Sequence, residues 1–190
     1  MRDDITTQVL AAAQLLVQTR GHNGYSYRDL AEQVGIRTAS IHYHFPAKTD
    51  LAVALVRRYR DMVGDAMAKI AVEKTSLADR LEGVVALYSY CLKTNSRICV
   101  ASALAGEFAS LPKEVQQELN RLMTDSQGWI ARFLNEGRTR GELPATCDPA
   151  ALAHLWYATL QGGLAIARAT EGNTLAEVAG VLKQLTLNQK

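Results

Sequence analysis

The sequence predicts an all-α protein of about nine helices, in which a small N-terminal module is followed by a larger helical bundle. Apolar residues recur every three or four positions along most of the chain, which is the spacing of amphipathic helices. No segment of the sequence shows the alternating apolar pattern of a β-strand. Helix caps, glycines and prolines divide the pattern into helix-sized lengths. With 48% hydrophobic residues in a chain of 190, a sizeable core is expected.

The first predicted helix begins at Asp3 or Asp4, since either carboxylate can cap it, and it ends in the glycines of residues 21–24. Its apolar residues recur at helical spacing: Ile5, Val9, Ala12, Ala13 and Leu16. We expect this helix to pack behind the two short helices that follow and to complete a three-helix module.

Residues 26–44 are predicted to form two short helices joined by a tight turn. Ser26 can cap the first helix, and Asp29 lies three residues later, as in a capping box. Gly35 allows the left-handed backbone that ends this helix. The second helix is expected to begin near Thr38.

The spacing of Ala31, Gly35 and Ile41 is typical of a helix-turn-helix, which places its second helix in the major groove of DNA. The outward positions of this second helix are rich in hydrogen-bonding side chains: Arg37, Thr38, Ser40, His42, Tyr43 and His44. A helical hairpin with a solvated polar face has the same spacing. The spacing alone therefore leaves both interpretations open.

In the DNA-binding interpretation, sequence reading is assigned to six residues: Arg28, Arg37, Thr38, Ala39, Ser40 and His42. Arg28 lies early in the first short helix and Arg37 lies just before the second. Either arginine can reach O6 and N7 of a guanine with two hydrogen bonds. For Arg37, a phosphate contact is equally consistent with its position.

The segment IHYHFPAKTDL, residues 41–51, resembles the TetR family of bacterial transcriptional regulators. In that family the recognition helix ends in an aromatic-His-Phe run, followed by a turn, a lysine and a long fourth helix. The matching residues here are Tyr43, His44, Phe45, Lys48 and Leu51. The resemblance is strongest over about residues 4–59, and beyond them only the helical pattern and the length agree.

The resemblance implies that Tyr43, His44 and Lys48 contact DNA phosphates, which positions a protein without reading sequence. Tyr27, at the start of the first short helix, is assigned to the same surface. His42 departs from the family, which usually has a tyrosine at this position. Its imidazole can still donate a hydrogen bond to a phosphate.

The charge distribution agrees with a DNA-binding N-terminus. Residues 1–60 contain eight Lys and Arg against five Asp and Glu, whereas the whole chain has a net charge of only +2. The net charge alone is too small to indicate nucleic acid binding. Its concentration at the end that carries the helix-turn-helix is what favours it.

Pro46 is expected to break the chain before a long fourth helix that runs from Ala47 to about Val72. Its predicted inward residues are Leu51, Ala54, Leu55, Tyr59, Met62 and Met67. Five more helices follow: a fifth opened by Ser76 and Asp79 and ended by Asn95–Ser96, a sixth from Ile98 to about Ala109, a seventh from Pro112 to the 137–141 region, an eighth from Pro149 to about Ala169, and a ninth after Gly172–Asn173. The predicted domains are therefore a DNA-binding domain, 1–47, and a ligand-binding and dimerisation domain, 48–190.

The last two helices are apolar around more of their circumference than one small core requires. The apolar residues that they carry are Leu152, Leu155, Trp156, Leu160, Leu164 and Ile166, followed by Leu175, Val178, Val181, Leu182 and Leu185. A central position in the monomer would explain this apolarity. The resemblance instead implies a homodimer in which these helices form a four-helix bundle and two recognition helices face a palindromic operator.

A ligand chamber is predicted in the middle of the second domain, because aromatic and thiol side chains gather between the fifth and eighth helices. They are Tyr88, Cys91, Cys99, Phe108, Trp129, Phe133, Trp156 and Tyr157. The resemblance implies that an unknown small-molecule inducer enters this chamber and that a repressor then leaves DNA. An aromatic stripe at helical spacing is equally a feature of ordinary core.

The sequence does not indicate a membrane span or a secreted protein. The longest uncharged stretch, Pro149–Ala167, is interrupted by His154, Gln161 and Gly162–Gly163, so a buried helix is expected. The N-terminus lacks the basic region and the cleavage site of a signal peptide. A cytoplasmic location is predicted.

An enzyme is not predicted, because the sequence shows no catalytic motif, metal-ligand pattern or cofactor-binding loop. Cys91, Cys99 and Cys147 are an odd number without a C-x-x-C pair, which argues against disulfides and zinc. Two alternatives stay open. One is a helical interaction adaptor without DNA contacts, and the other is a regulator that senses electrophiles or oxidants through Cys99.

Overall fold

The computed structural model of the chain describes residues 2–93 and 97–187. Within these ranges the protein is all-helical, which confirms the predicted fold class. The helices are α1 (Arg2–Arg20), α2 (Tyr27–Val34), α3 (Thr38–His44), α4 (Lys48–Glu73), α5 (Leu77–Lys93), α6 (Val100–Ala105), α7 (Lys113–Thr139), α8 (Pro149–Thr170) and α9 (Thr174–Thr186), with a short 3-10 helix at Phe108–Ser110. The predicted end of the fifth helix at Asn95–Ser96 lies outside the described residues.

The chain forms two compact units, and each unit is built from two separate stretches of the sequence. The first unit comprises residues 1–61 and 100–122, and the second comprises residues 62–99 and 123–190. The first unit therefore contains α1 to α3, the first half of α4, α6 and the start of α7. The predicted boundary after residue 47 lies inside this unit.

The start and the turn of the helix-turn-helix are fixed by the local signals in the sequence. The Asp29 backbone N–H donates to Ser26 Oγ at 3.3 Å, and the Ser26 N–H donates to the Asp29 carboxylate at 2.7 Å, which is a complete capping box. Gly35 ends α2 with a φ of 76°, and its N–H donates to the Ala31 carbonyl at 2.9 Å. Ile41 of α3 is fully buried, as predicted.

The core of the first unit lies where α1 packs against α2 and α6. The buried apolar residues of these three helices include Val9, Ala13, Val17, Leu30, Val100, Ala101 and Leu104. The core continues onto α4 through Leu51, Leu55 and Val56. The two short helices α2 and α3 are therefore supported from behind by a core to which residues distant in sequence contribute.

In the second unit, α8 and α9 pack closely along their lengths. A Cβ on Gly163 would meet Val178 Cγ2 at 3.0 Å and Leu175 Cα at 3.2 Å, so any larger residue would require these neighbours to shift by a few tenths of an ångström. Trp156 is buried, and its Nε1–H donates to the Thr186 hydroxyl at 3.0 Å. Asp148 caps α8 and Pro149 occupies its first turn, as the sequence predicted.

Met62, which was predicted on the inward side of the fourth helix, is 45% exposed. Four apolar residues of α8 and α9 are also exposed, by 51% to 77%: Leu155, Ile166, Val181 and Leu185. These two helices carry apolar residues on most sides, so helical spacing cannot identify the inward stripe. None of the described helices combines the length and apolarity needed to cross a bilayer.

Two predicted helix boundaries are wrong. The sixth helix ends at Ala105 rather than near Ala109, because Gly106 and Glu107 form a turn before the 3-10 helix. The first helix begins at Arg2, so Asp4 lies inside α1 and does not cap it. The Asp4 carboxylate instead accepts a hydrogen bond from the Gln8 side chain at 3.0 Å.

Candidate nucleic-acid interface

The outward face of α3 consists of polar side chains around one buried anchor. Arg37, Thr38, Ala39, His42 and Tyr43 are exposed, and Ser40 is half-buried. Of the seven residues of α3, only Ile41 is fully buried, and it fixes the helix to the core. This face can therefore enter a groove of DNA without disturbing the packing beneath it.

Tyr27 supports the C-terminal end of α3 from the side. Its hydroxyl donates to the Phe45 carbonyl at 2.9 Å, and its ring lies 4.6 Å from the His42 ring, centre to centre. Burial, with a smaller contribution from Asp50, raises the pKa of Tyr27 to about 12. The phenol therefore stays protonated and keeps donating to Phe45, and the geometry shows a positioning contact for this predicted DNA-binding residue.

His42 is exposed but held in a defined orientation. Its Nδ1 lies 3.4 Å from the Pro46 carbonyl. When Nδ1 carries the proton and donates to Pro46, the neutral ring presents Nε2 as an acceptor. A phosphate requires a donor, so a phosphate contact through Nε2 needs either a ring protonated on both nitrogens or the Nε2–H tautomer, which gives up the bond to Pro46.

Tyr43 and His44 form an edge-to-face pair with ring centres 5.2 Å apart. Tyr43 is 65% exposed, whereas His44 is half-buried and its Nδ1 lies 3.3 Å from the Thr6 hydroxyl of α1. Tyr43 is thus placed outward at the end of α3. His44 connects the same end to α1.

Lys48 has a partner inside the protein. Its ammonium donates to the Tyr25 carbonyl at 2.5 Å and lies 4.2 Å from the centre of the Tyr25 ring. Burial lowers the pKa of Lys48, while Glu107 and Asp29 oppose this shift. Because an ammonium has three N–H donors, this bond leaves donors for the predicted phosphate contact.

Arg28 is exposed and forms an ion pair with Glu32, one turn further along α2, at 3.1 Å. An ion pair in solvent contributes little to stability. Arg28 can therefore exchange Glu32 for a partner on DNA at small cost.

Sequence reasoning missed Glu107, which holds the loop between α1 and α2. The backbone N–H groups of His22 and Asn23 donate to its carboxylate at 2.8 and 2.9 Å. These partners lie about 85 residues away along the chain, and no local signal in the sequence pairs them.

Glu118 of α7 is a buried carboxylate that the sequence also did not reveal. It accepts hydrogen bonds from Arg57 at 2.8 Å, from Arg121 at 2.9 Å and from Arg60 at 3.3 Å. The bond from Arg57 and the charges of the other arginines hold the pKa of Glu118 below its ordinary value, although burial opposes this. The network connects α4 to the start of α7 within the first unit.

The residues predicted to line a ligand chamber fall into separate surroundings. Tyr88, Cys91, Cys99 and Tyr157 lie close enough to influence one another's ionisation, and Gln161 Nε2 lies 3.9 Å from the Cys99 sulfur. We call these five residues the phenol–thiol cluster. Its phenols are buried, and burial raises the pKa of both Tyr88 and Tyr157, so both stay protonated donors.

The other predicted chamber residues are not part of this cluster. Trp129 and Phe133 pair with each other at 6.0 Å between ring centres. Trp156 is bonded to α9 through Thr186. Phe108 belongs to the first unit and is exposed, so the structure does not group it with the others.

Two family models match the chain. The one described as bacterial regulatory proteins, tetR family, matches residues 9–55, and the one described as tetracyclin repressor-like, C-terminal domain, matches residues 78–180. The second match alone spans more than half of the chain. Together the two matches include the helix-turn-helix and most of the second unit.

Solved structures agree with these matches. A TetR-family transcriptional regulator from Agrobacterium tumefaciens is 28% identical, with a TM-score of 0.93 over 99% of this chain and 100% of that one. A TetR transcriptional regulator from Legionella pneumophila is 26% identical, with a TM-score of 0.85 over 94% of this chain and 95% of that one.

Among curated proteins, the nucleoid occlusion factor SlmA of Marinomonas sp. (strain MWYL1) is 24% identical over 164 residues, which cover 85% of this chain and 81% of SlmA. The exposed face of α3, its support by α1 and α2, and both family matches lead to one assignment. The chain belongs to the TetR family of bacterial regulatory proteins and is a DNA-binding transcriptional regulator.

Proposed function

We propose that the protein is a homodimeric repressor that binds a palindromic operator and releases it when a small molecule occupies the second unit. The observation that supports DNA reading is the exposed polar face of α3, held from behind by Ile41 and from the side by Tyr27. Base reading is proposed for Arg28, Arg37, Thr38, Ala39, Ser40 and His42. Phosphate contacts are proposed for Tyr43, His44 and Lys48.

Support for the homodimer comes from exposed apolar residues on α8 and α9. Leu155 and Ile166 are eleven residues apart, close to three helical turns, so they lie on one face of α8. Val181 and Leu185 are one turn apart on α9. A second copy of the same two helices would cover this surface and form a twofold four-helix bundle. Such a dimer would present two α3 helices to the two half-sites of a palindrome.

For the inducer we propose an uncharged molecule that enters the phenol–thiol cluster. The five side chains of the cluster are neutral in their ordinary forms. Among the described residues the buried Tyr157 hydroxyl has no hydrogen-bond partner, although the neighbouring Gln161 amide lies close enough to oppose the rise in its pKa. A carbonyl or another neutral acceptor would satisfy this donor, whereas a carboxylate would be desolvated without a cation.

The proposed function also implies a cytoplasmic location, because the protein has to reach an operator on the chromosome.

A second candidate is regulation through covalent modification of Cys99. Cys99 is buried, and its named neighbours are two phenols and an amide, which offer no positive charge to stabilise a thiolate. The surroundings therefore favour reversible occupancy of the cluster over thiol chemistry. A helical adaptor without DNA contacts is the third candidate, and the exposed polar face of α3 argues against it.

The proposal is tested with DNA from upstream of the gene that encodes the chain. We expect the wild-type protein to shift this DNA, to sediment as a dimer, and to require both halves of a palindrome for full affinity. Failure to shift it, together with failure to select any duplex from a random library, would favour the adaptor.

The release step is tested by screening uncharged compounds for loss of the shifted band with wild type, Tyr157→Phe and Cys99→Ser. Loss of response in Tyr157→Phe alone supports reversible binding at the cluster. Loss in Cys99→Ser alone, with a mass increase on the wild-type thiol, supports the covalent route instead.

A further inference from the structure

The carboxylate of Glu107 accepts three hydrogen bonds from the loop between α1 and α2. The His22 N–H donates to Oε1 at 2.8 Å, the Asn23 N–H donates to Oε2 at 2.9 Å, and Asn23 Nδ2 donates to Oε2 at 2.6 Å. Asn23 Nδ2 also donates to the Ser110 hydroxyl at 3.1 Å. Bonds to an ionised acceptor are stronger than neutral ones, so this is a firm attachment between the turn after α6 and the loop.

The loop backbone passes in direct contact with this carboxylate. Gly21 has a φ of 81°, and a Cβ at this position would lie 1.9 Å from Glu107 Oε1. The close approach is therefore built into the loop itself. A displacement of the Glu107 carboxylate would break the bonds that it accepts from this loop.

The same loop is joined to the beginnings of α2 and α4. It leads directly into Ser26, the cap of α2, and the ring of Tyr25 is buried beside it. The Tyr25 carbonyl accepts the bond from Lys48, the first residue of α4. The position of residues 22–25 therefore affects the orientation of the capped end of α2 and the position of the Lys48 ammonium.

We infer that Glu107 is a positioning residue for DNA binding, which acts through the α1–α2 loop and needs no contact with DNA. Glu107 follows α6, whose buried residues Val100, Ala101 and Leu104 belong to the core that α6 forms with α1. It is therefore attached to the packed core on one side and to the loop on the other. This inference rests on the DNA-binding role of the protein.

The test compares Glu107→Gln, Asn23→Ala and the double variant with a matched control, Glu114→Gln. Glutamine replaces one of the two accepting oxygens with an NH₂ group, which cannot accept, so at least one of the three bonds is lost in either orientation of the amide. Asn23 is exposed, so its variant removes the 2.6 Å bond without opening the core. Glu114 is an exposed carboxylate of the same unit, and its variant changes the net charge equally.

Affinity is measured on a duplex that the wild-type protein selects from a random library, and on an unrelated duplex. We expect Glu107→Gln to weaken operator binding about 10-fold, a usual size for coupling between sites, and to weaken non-specific binding less. Misplaced helices lose base contacts first, whereas non-specific attraction tolerates displacement. On the unrelated duplex, the slope of log affinity against log salt concentration should be the same for Glu107→Gln as for the control Glu114→Gln.

Two further readouts separate positioning from loss of folded protein. Amide hydrogen exchange at His22 and Asn23 should accelerate in Glu107→Gln while the core of α1 stays protected. The effects of Asn23→Ala and Glu107→Gln on operator affinity should be less than additive, because both act on the same loop.

The inference is overturned if Glu107→Gln binds the operator as tightly as Glu114→Gln, if the two losses add fully, or if exchange at His22 and Asn23 is unchanged. If Glu107→Gln does not fold, the inference is tested with Asn23→Ala, through its operator affinity and the amide hydrogen exchange of the α1–α2 loop. A wild-type protein that selects no duplex would contradict the DNA-binding role itself, and the inference would fall with it. If the wild-type protein selects a duplex and the variants bind it as tightly as the wild type does, the inference about Glu107 is overturned while the DNA-binding role stands.

Discussion

Lys48 combines an internal hydrogen bond and a proposed DNA contact in one side chain. In the structure its ammonium donates to the Tyr25 carbonyl at 2.5 Å, and a DNA phosphate contact is proposed for its remaining donors. Lys48→Met keeps most of the apolar stem and removes every N–H donor. We expect this variant to lose both interactions, each with a different measurable signature.

The two losses have separate magnitudes. A hydrogen bond from a charged donor contributes about 1.5–3 kcal/mol, and because Lys48 is half-buried we expect the free energy of unfolding to fall by about 1.5 kcal/mol. One lost phosphate contact lowers the slope of log affinity against log salt by about 0.9, on every sequence alike. Urea unfolding measures the first, and fluorescence anisotropy with an operator and an unrelated duplex over a salt series measures the second.

The control is Lys113→Met, which removes an exposed lysine from the same unit and changes the net charge equally. A salt slope for Lys48→Met equal to that of the control would remove Lys48 from the phosphate contacts. An unfolding free energy equal to that of the control would show that the bond to Tyr25 gives no net support.

Three further outcomes are expected. Arg28→Ala should cost about 1–3 kcal/mol on the operator and relax discrimination at one base pair, and an equal loss on unrelated DNA in the same titration would make Arg28 a phosphate contact. Leu185→Glu should convert the proposed dimer to a monomer in sedimentation velocity, whereas Gln184→Glu beside it should not, and an intact Leu185→Glu dimer would exclude this face. The lowered pKa of Glu118 means that its contribution to stability is present above the ordinary value of 4.5 and is lost as pH falls through the folded-state pKa. In urea unfolding from pH 7 to pH 3, Glu118→Gln should therefore lose less stability than wild type, and equal losses would contradict this.

Signals within a few residues of one another predicted the helix-turn-helix correctly. The cap at Ser26, the left-handed turn at Gly35 and the buried position of Ile41 each depend on local backbone geometry, which sequence spacing encodes. The same holds for Asp148 and Pro149 at the start of α8. At these positions the helix ends are determined mainly by nearby side chains and by backbone conformation, so a short stretch of sequence is enough to predict them.

Long-range partners could not be predicted in the same way. The pairing of Glu107 with His22, or of Lys48 with the Tyr25 carbonyl, depends on how the chain returns to the first unit. Apolar spacing also failed on α8, where Leu155 is exposed and Trp156 is buried although both are apolar. A helix that is apolar on most sides contains no sequence signal for the side that faces the core.

The first unit is built from two stretches of chain, 1–61 and 100–122, and this has a consequence during synthesis on the ribosome. When α3 emerges, it has seven residues and one buried anchor, too short to persist as an isolated helix. The α6 face that packs on α1 has not yet been made. At about 5–20 residues per second, several seconds pass before residue 122 completes the unit. A truncated gene product that stops after α4 would therefore contain every proposed DNA-contacting residue and still lack the fold that orders them.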